Sequence, residues 1–330
     1  MKTKSNQTWK KILTTEFYLF LLLIMIMLFL AVFAKGFYDT NNIMSLLNRF
    51  SYTLIAAIGM NMIIITSNID VSAGALISVL CVAAAAIGSK GADIWIFLPV
   101  TMLLGGVLSL ANGLFITKMR IPAIVATLAT TQLFQGILPL LVGGSIYDLP
   151  ANFTWLAYDA KIFSVLPASV VIMAVVTVIF LLFMKYSKFS KKLYAIGNNK
   201  EGARLAGVNV DRVIVTAYVL AGMLYGITAI IIATASQRVM PTMANGEEMT
   251  FIAAVVLGGT STMGGSGKLI GTVVGAFILS LVTPAINYLG ISPDWSDAIM
   301  GGIIIISVVF SAINIKKKRR IADKGKGEQK

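Results

Sequence analysis

Histidine is missing from this chain of 330 residues, and cysteine occurs once, as Cys81. No disulfide can form within it. The lack of imidazole, with a single thiol, excludes His-based and thiolate metal sites and His acid–base catalysis. Charge is scarce as well. Asp, Glu, Lys and Arg make up 12% of the chain, against roughly 25% in soluble domains. The apolar runs hold no paired carboxylates, which argues against an intramembrane enzyme. A nucleotide site is missing too. Gly265-Ser266-Gly267-Lys268 looks like the tail of a phosphate-binding loop, but Thr262 stands where the first glycine is needed and Leu269 where Ser or Thr is needed. Any nucleotide chemistry has to come from another chain.

What the chain has instead is long uncharged apolar sequence. It is 57% hydrophobic, with a mean hydropathy of +0.86. Charge-free runs recur at Phe17–Ala34, Phe50–Ile69, Ile94–Thr117, Ile121–Tyr147, Ile162–Met184, Val213–Gln237 and Leu269–Pro293. A membrane span needs roughly 20 such residues. These runs specify an all-α polytopic membrane protein. The net charge of +13 suggests nucleic acid at first sight, but the positives concentrate in a few loops and tails, as the positive-inside rule requires.

Taken in order, the charge pattern predicts about ten transmembrane helices, both termini cytoplasmic and a bacterial inner-membrane location. Residues 1–16 form a cytoplasmic segment, 17–315 the transmembrane domain and 316–330 a basic, disordered tail. The first span is a retained one, because no small-residue cleavage site follows it. An outer loop is expected over Lys35–Arg49, then a span at Phe50–Thr66. Spans at Ala75–Gly88, Ile94–Thr117, Ala123–Val142 and Phe163–Met184 follow. Gly143–Lys161 reads as an outer loop with interfacial Tyr147, Trp155 and Tyr158, and with a chance sequon at Asn152. Residues 185–212 carry seven positives against Glu201 and Asp211 and mark the cytoplasm. Within them Glu201–Ala206 reads as a short helix closed by Gly207. Further spans are expected at Val213–Ser236, Met249–Met263 and Leu269–Leu289, and a last one ends at the basic cluster Lys316–Arg320.

Polar or Gly-rich breaks follow the second and eighth spans. The second break lies in Gly258–Ala276, a stretch with seven glycines: Gly258, Gly259, Gly264, Gly265, Gly267, Gly271 and Gly275. Irregular backbone survives in a bilayer only where protein or water satisfies it, so this stretch is expected inside the bundle. Gly267, Gly271 and Gly275 are spaced for one helical face. The first break contains Asn68, Asp70 and Ser72. Asp70 is the only acid between Phe50 and Ser89. It is either a buried helix cap or part of a solute pathway. Matching breaks in two halves point to a transport site and a weak internal repeat, with both breaks on the same side. Thr127, Thr131 and Gln135 share a helical face, with Gln132 beside it. They can line a path for a neutral polyhydroxy solute or bond neighbouring helices. Asn61, Ser109 and Asn112 lean to packing. Glu247 and Glu248 suit a helix start.

Several stretches together resemble the permease subunits of ribose-type ABC importers, which include rhamnose and autoinducer-2 permeases. They are NIDVSAG (68–74), RIPAIVATLAT (120–130), AIGNNKEGARLAGV (195–208), LGGTSTMGGSGKLIGTVVGA (257–276) and PDWSDAIMGG (293–302). The chain departs from the family's usual residues at Ala73, at Gly202 and over Pro284–Asn287. The resemblance implies a dimer of permeases, identical or paired with a paralogue. It implies a cytosolic ABC ATPase that uses ATP, so that this chain needs no cofactor and is no enzyme. An extracytoplasmic solute-binding protein delivers a sugar-like solute. Gly197, Glu201, Arg204 and Gly207 match the loop where the ATPase docks. Other partners are membrane lipid and no nucleic acid. The contrasting reading is an ion-coupled secondary transporter, for which Asp70 is the one candidate coupling group.

Overall fold

Among the described residues, six helices are long and apolar enough to cross a membrane. The structure is a computed structural model that describes residues 15–90, 93–143, 147–148, 161–162, 166–236, 238–292, 295–296, 298–306 and 309. The basic ends of the chain, Trp155, Tyr158 and the sequon at Asn152 lie outside the described residues.

In chain order the helices are α1 (Thr15–Phe33), α2 (Thr40–Ile65), α3 (Ala73–Gly88), α4 (Ile94–Thr117), α5 (Ala123–Val142), α6 (Ala168–Tyr186), α7 (Lys188–Asn198), α8 (Lys200–Leu205), α9 (Val210–Ser236), α10 (Glu247–Leu257) and α11 (Leu269–Tyr288). The strands are two-residue pieces. Tyr147–Asp148 (β1) pairs with Arg238–Val239 (β4), and Lys161–Ile162 (β2) with Leu166–Pro167 (β3), both antiparallel. The fold is thus all-helical with several membrane-spanning helices.

α9 and α2 form the centre. In their most apolar stretches 72% and 61% of residues are buried, against 22–28% for α4, α5 and α6. The outer helices accordingly turn Leu103, Leu133 and Ile179 outward, as suits surfaces solvated by lipid chains. Apolar burial between spans gives no water-driven gain in a bilayer, so close packing of small residues has to hold the bundle. The α4–α9 crossing illustrates this. A Cβ on Gly222 would lie 2.2 Å from the Gly105 carbonyl oxygen.

Several boundaries differ from the sequence expectation. Lys35–Arg49 is no simple loop, because α2 starts at Thr40. Its first turns carry Asn41, Asn42, Asn48 and Arg49, whose polarity hides the helix from a hydropathy count. The expected span at Phe163 starts at Ala168, after β3 and Pro167. The expected span Met249–Met263 ends at Leu257. Eleven helical residues rise only about 16 Å, roughly half the hydrocarbon thickness. α10 begins opposite Arg49, part-way along α2, through the Arg49–Glu247 ion pair at 3.1 Å. The break after it meets the end of α2 at Ile65. Helix and break together therefore accompany the last 24 Å or so of α2.

The basic segment 185–212 holds two helices, α7 and α8. The Ser187 side chain caps α7 at Ser190 N, and the Asn199 side chain caps α8 at Gly202 N. Gly207 follows α8 with φ +80°. The short helix was expected; α7, one residue away, was not.

Candidate functional site

Residues 66–72, between α2 and α3, are not helical. Ser67 is exposed and Asn68 and Ile69 are half-buried, but Asp70–Ser72 are buried, where peptide groups need partners that neither water nor a helix ladder supplies. Side chains from three helices supply them. Thr127 Oγ1 of α5 donates to the Ile69 carbonyl at 3.4 Å, and Tyr218 of α9 to the same oxygen at 3.5 Å. Thr131 Oγ1 donates to the Val71 carbonyl at 3.2 Å. Asn112 Nδ2 of α4 donates to Ser72 Oγ at 2.8 Å.

Asp70 is fully buried at the middle of this segment. Its Oδ1 accepts from Ser72 N at 3.0 Å and Ser72 Oγ at 2.6 Å. This is a turn within the break, not a helix cap. Ser72 is the N-cap of α3, and its side chain makes no cap bond. The Tyr225 hydroxyl lies beside the carboxylate, so a buried acid and a buried phenol meet in this segment.

The structure brings Asp70, Ser72, Thr127 and Thr131 into one cluster and leaves three expected members aside. Asn68 is half-buried and bonds back to Thr66. Gln132 is exposed and Gln135 half-buried. Tyr218 and Tyr225 joined the cluster unannounced. As aromatic residues inside an apolar run they carry no periodic signal that separates them from packing.

The second break, residues 258–268, is held differently. Gly265 N donates to the Ile65 carbonyl at 2.9 Å, which ties it to the end of α2. Asn61 Nδ2 donates to Thr260 Oγ1 at 2.8 Å and Thr272 Oγ1 at 2.9 Å. Gly271 and Gly275 of α11 face α10 at contact distance. A Cβ on Gly271 would sit 1.9 Å from the Gly258 oxygen, and one on Gly275 2.2 Å from the Ala254 oxygen. Gly267 does not continue this helical face. It precedes α11, with φ +152°, and packs on Thr260. Gly259, Gly264 and Gly265 take positive φ, where side-chain-bearing residues are strained.

The end of α7 closes over this break. Gly197 lies against both the Ile65 carbonyl and Gly265, where a Cβ would meet Ile65 O at 1.9 Å. Tyr194 donates to the Gly267 carbonyl at 2.9 Å, and Asn198 Nδ2 to the Gly265 carbonyl at 3.2 Å. Ser67 of the first break reaches the Met263 carbonyl at 2.7 Å and the Gly197 carbonyl at 3.4 Å. Burial pushes the Tyr194 hydroxyl above its usual pKa, so it stays a donor near neutral pH. The remaining expected coupling residues lie beyond this junction. Arg204 is exposed and bonds Glu201 at 2.8 Å, with Asp211 at 3.9 Å. Nothing packs within 4 Å of the position a Gly207 side chain would take. Tyr194 and Asn198 went unforeseen because a basic surface loop was expected where α7 stands.

At the opposite end of α10, Glu247 pairs with Arg49, and Glu248 Oε2 accepts from Gly246 N at 3.1 Å. Gly74 at the start of α3 packs against Glu248 and the Ala244 carbonyl. The short helices α3 and α10 thus start side by side inside the bundle.

Several known proteins have sequences similar to this one. The chain is 31% identical to the ribose import permease of Bacillus subtilis over 94% of its own length and 98% of the relative's. It is 30% identical to the ribose import permease of Escherichia coli K12, over 87% and 90%. It is 31% identical to the autoinducer 2 import system permease of Yersinia pseudotuberculosis, over 85% and 80%. No solved structure matches the chain. The family described as branched-chain amino acid transport system / permease component matches residues 42–308, which span both breaks, α7 and the bundle around them. The chain belongs to this family of transport permeases, as its resemblance to the ribose-type importer permeases implied.

Proposed function

We propose that this chain is the membrane permease subunit of an ATP-driven importer for a neutral sugar-like solute, of pentose, rhamnose or autoinducer-2 type. It crosses the bacterial inner membrane about ten times, counting the short helices and the chain's last apolar stretch, with both termini in the cytoplasm. A cytosolic ATPase binds and hydrolyses the ATP. A solute-binding protein delivers the solute from outside, and a second permease copy or paralogue completes the channel. Ribose and autoinducer 2 import by the relatives supports the solute class.

One observation carries the mechanism. The last turn of α7 bonds directly to the Gly-rich break and abuts the end of α2. The ATPase docks on the exposed face of α7 and α8, around Glu201 and Arg204. Movement of that helix pair pulls on the Gly265 and Gly267 carbonyls and on Ile65. Through Ser67 it reaches the segment that contains Asp70. Interfaces of this kind switch between discrete packings instead of deforming gradually.

The test is uptake in cells with and without the partner ATPase, alongside pull-down of the tagged chain in mild detergent. Recovery of an ATPase and a solute-binding protein, with uptake lost on ATPase deletion, is the expected result. Asp70, a fully buried carboxylate among the spans, is the observation that favours ion coupling instead. Uptake that persists without the ATPase would establish that alternative.

A further inference from the structure

The first turns of α2 carry polar residues on one face. Asn42, Ser45, Arg49 and Tyr52 follow each other at three- and four-residue spacing, with Asn48 beside them. The rest of the helix, from Thr53 to Ile65, is almost wholly apolar and buried. A polar face of this kind is costly against lipid and belongs with protein or water. It does face a cavity, of about 330 Å³, closed on the other side by Thr283, Pro284 and Asn287 of α11. That volume falls in the range of small-molecule sites. It lies at the end of the bundle away from α7 and α8, and the residues described above as the two breaks take no part in it.

We propose that this cavity is a binding site for a neutral polyhydroxylated solute at the outer mouth of the permease.

Charge, lining chemistry and support argue for that ligand. Arg49 is the only charged residue of the lining, and Glu247 neutralises it at 3.1 Å. The Arg49–Glu247 pair therefore carries no net charge. Asn42, Ser45, Asn48, Thr283 and Asn287 bring amides and hydroxyls, which both donate and accept, as a ring of hydroxyl groups requires. Tyr52 and Tyr288 add aromatic surface for the apolar C–H faces of such a molecule. The lining is also held in place. Ser169 of α6 bonds Asn48, Asn42 bonds the Phe37 carbonyl, and Arg49 stacks on Tyr52 with its guanidinium 5.9 Å from the ring centroid.

The inference rests on the importer reading and deepens it. The experiment uses the purified full-length chain carrying Ser45→Cys. Ser45 is exposed, while the native Cys81 is fully buried, so a maleimide reports on the cavity alone. D-ribose and L-rhamnose are the probes, with L-leucine as the contrasting solute. At ten times its Kd, a bound sugar slows labelling about tenfold. Adding Asn287→Ala removes one hydrogen-bonding partner and weakens binding about tenfold, so at the same sugar concentration the slowing falls to about twofold. Asn287→Cys serves as a second reporter should Ser45→Cys destabilise the chain. Labelling of both reporters that neither sugar slows, or that L-leucine slows equally, overturns the proposal. Uptake independent of the ATPase would sink the importer reading and leave sugar protection unchanged. ATP-dependent uptake with unprotected thiols would sink this site alone.

Discussion

The two breaks solve one problem in opposite ways. Residues 66–72 keep their side chains and borrow hydroxyls and an amide from α4, α5 and α9. Residues 258–268 shed side chains, so that their peptide groups meet other backbone directly, at Ile65, and accept bonds from α7. The first arrangement depends on a few irreplaceable polar groups. The second depends on the absence of bulk. The first is buried from Asp70 to Ser72, while its Ser67 end and the second break meet the end of α7.

Substitutions can break this comparison, and adding bulk to the glycine break has the largest expected effect. Gly271→Leu forces α11 off the Gly258 carbonyl and is expected to cost about 3 kcal/mol. It should lower the thermal unfolding temperature of the purified chain sharply; an unchanged transition would show that the α10–α11 seam is loose. Asp70→Leu comes next. It strands the Ser72 N–H and hydroxyl, at about 2–4 kcal/mol. Asp70→Asn keeps an acceptor oxygen and is expected to cost about 1 kcal/mol. Equal loss of uptake in both variants, with equal stability, would mean that the charge itself is needed.

Tyr194→Phe deletes one bond from α7 to the second break, at about 1 kcal/mol. ATP hydrolysis by the assembled complex is expected to continue while uptake falls. Proportional loss of both would place Tyr194 in structure only. Arg204→Ala has the smallest effect on stability, within about 0.5 kcal/mol, because its ion pairs are exposed. It is nonetheless expected to uncouple transport. Unaltered solute-stimulated hydrolysis and uptake in the assembled variant would remove Arg204 from the coupling path.

The spans were legible wherever apolar sequence ends in charge or proline. α4 and α5 start and stop where Asp93, Lys118, Pro122 and Gly143 say they should. Legibility failed where one signal masked another. α10 stops at Leu257, but the run of small and apolar residues goes on, so hydropathy overshot it. The start of α2 was hidden by the polar face that lines the cavity beside α11. α7 was hidden because charged surface helices and charged loops have like composition. In the candidate site, the break and its Thr stripe could be read from residue type and spacing. The bonds between Asn61 and Thr260, or between Tyr194 and Gly267, could not, since local pattern carries no information about partners so far along the chain.

Asn61 also sets an order of assembly. Its partners Thr260 and Thr272 lie 199 and 211 residues downstream. At a synthesis rate of ~5–20 residues per second, α2 waits roughly 10–40 s before they are made. During that interval a carboxamide sits in the apolar half of α2 without its final partners. The arrival of the glycine break therefore completes the molecule late, and a chain truncated before Thr260 leaves that amide without either of these partners.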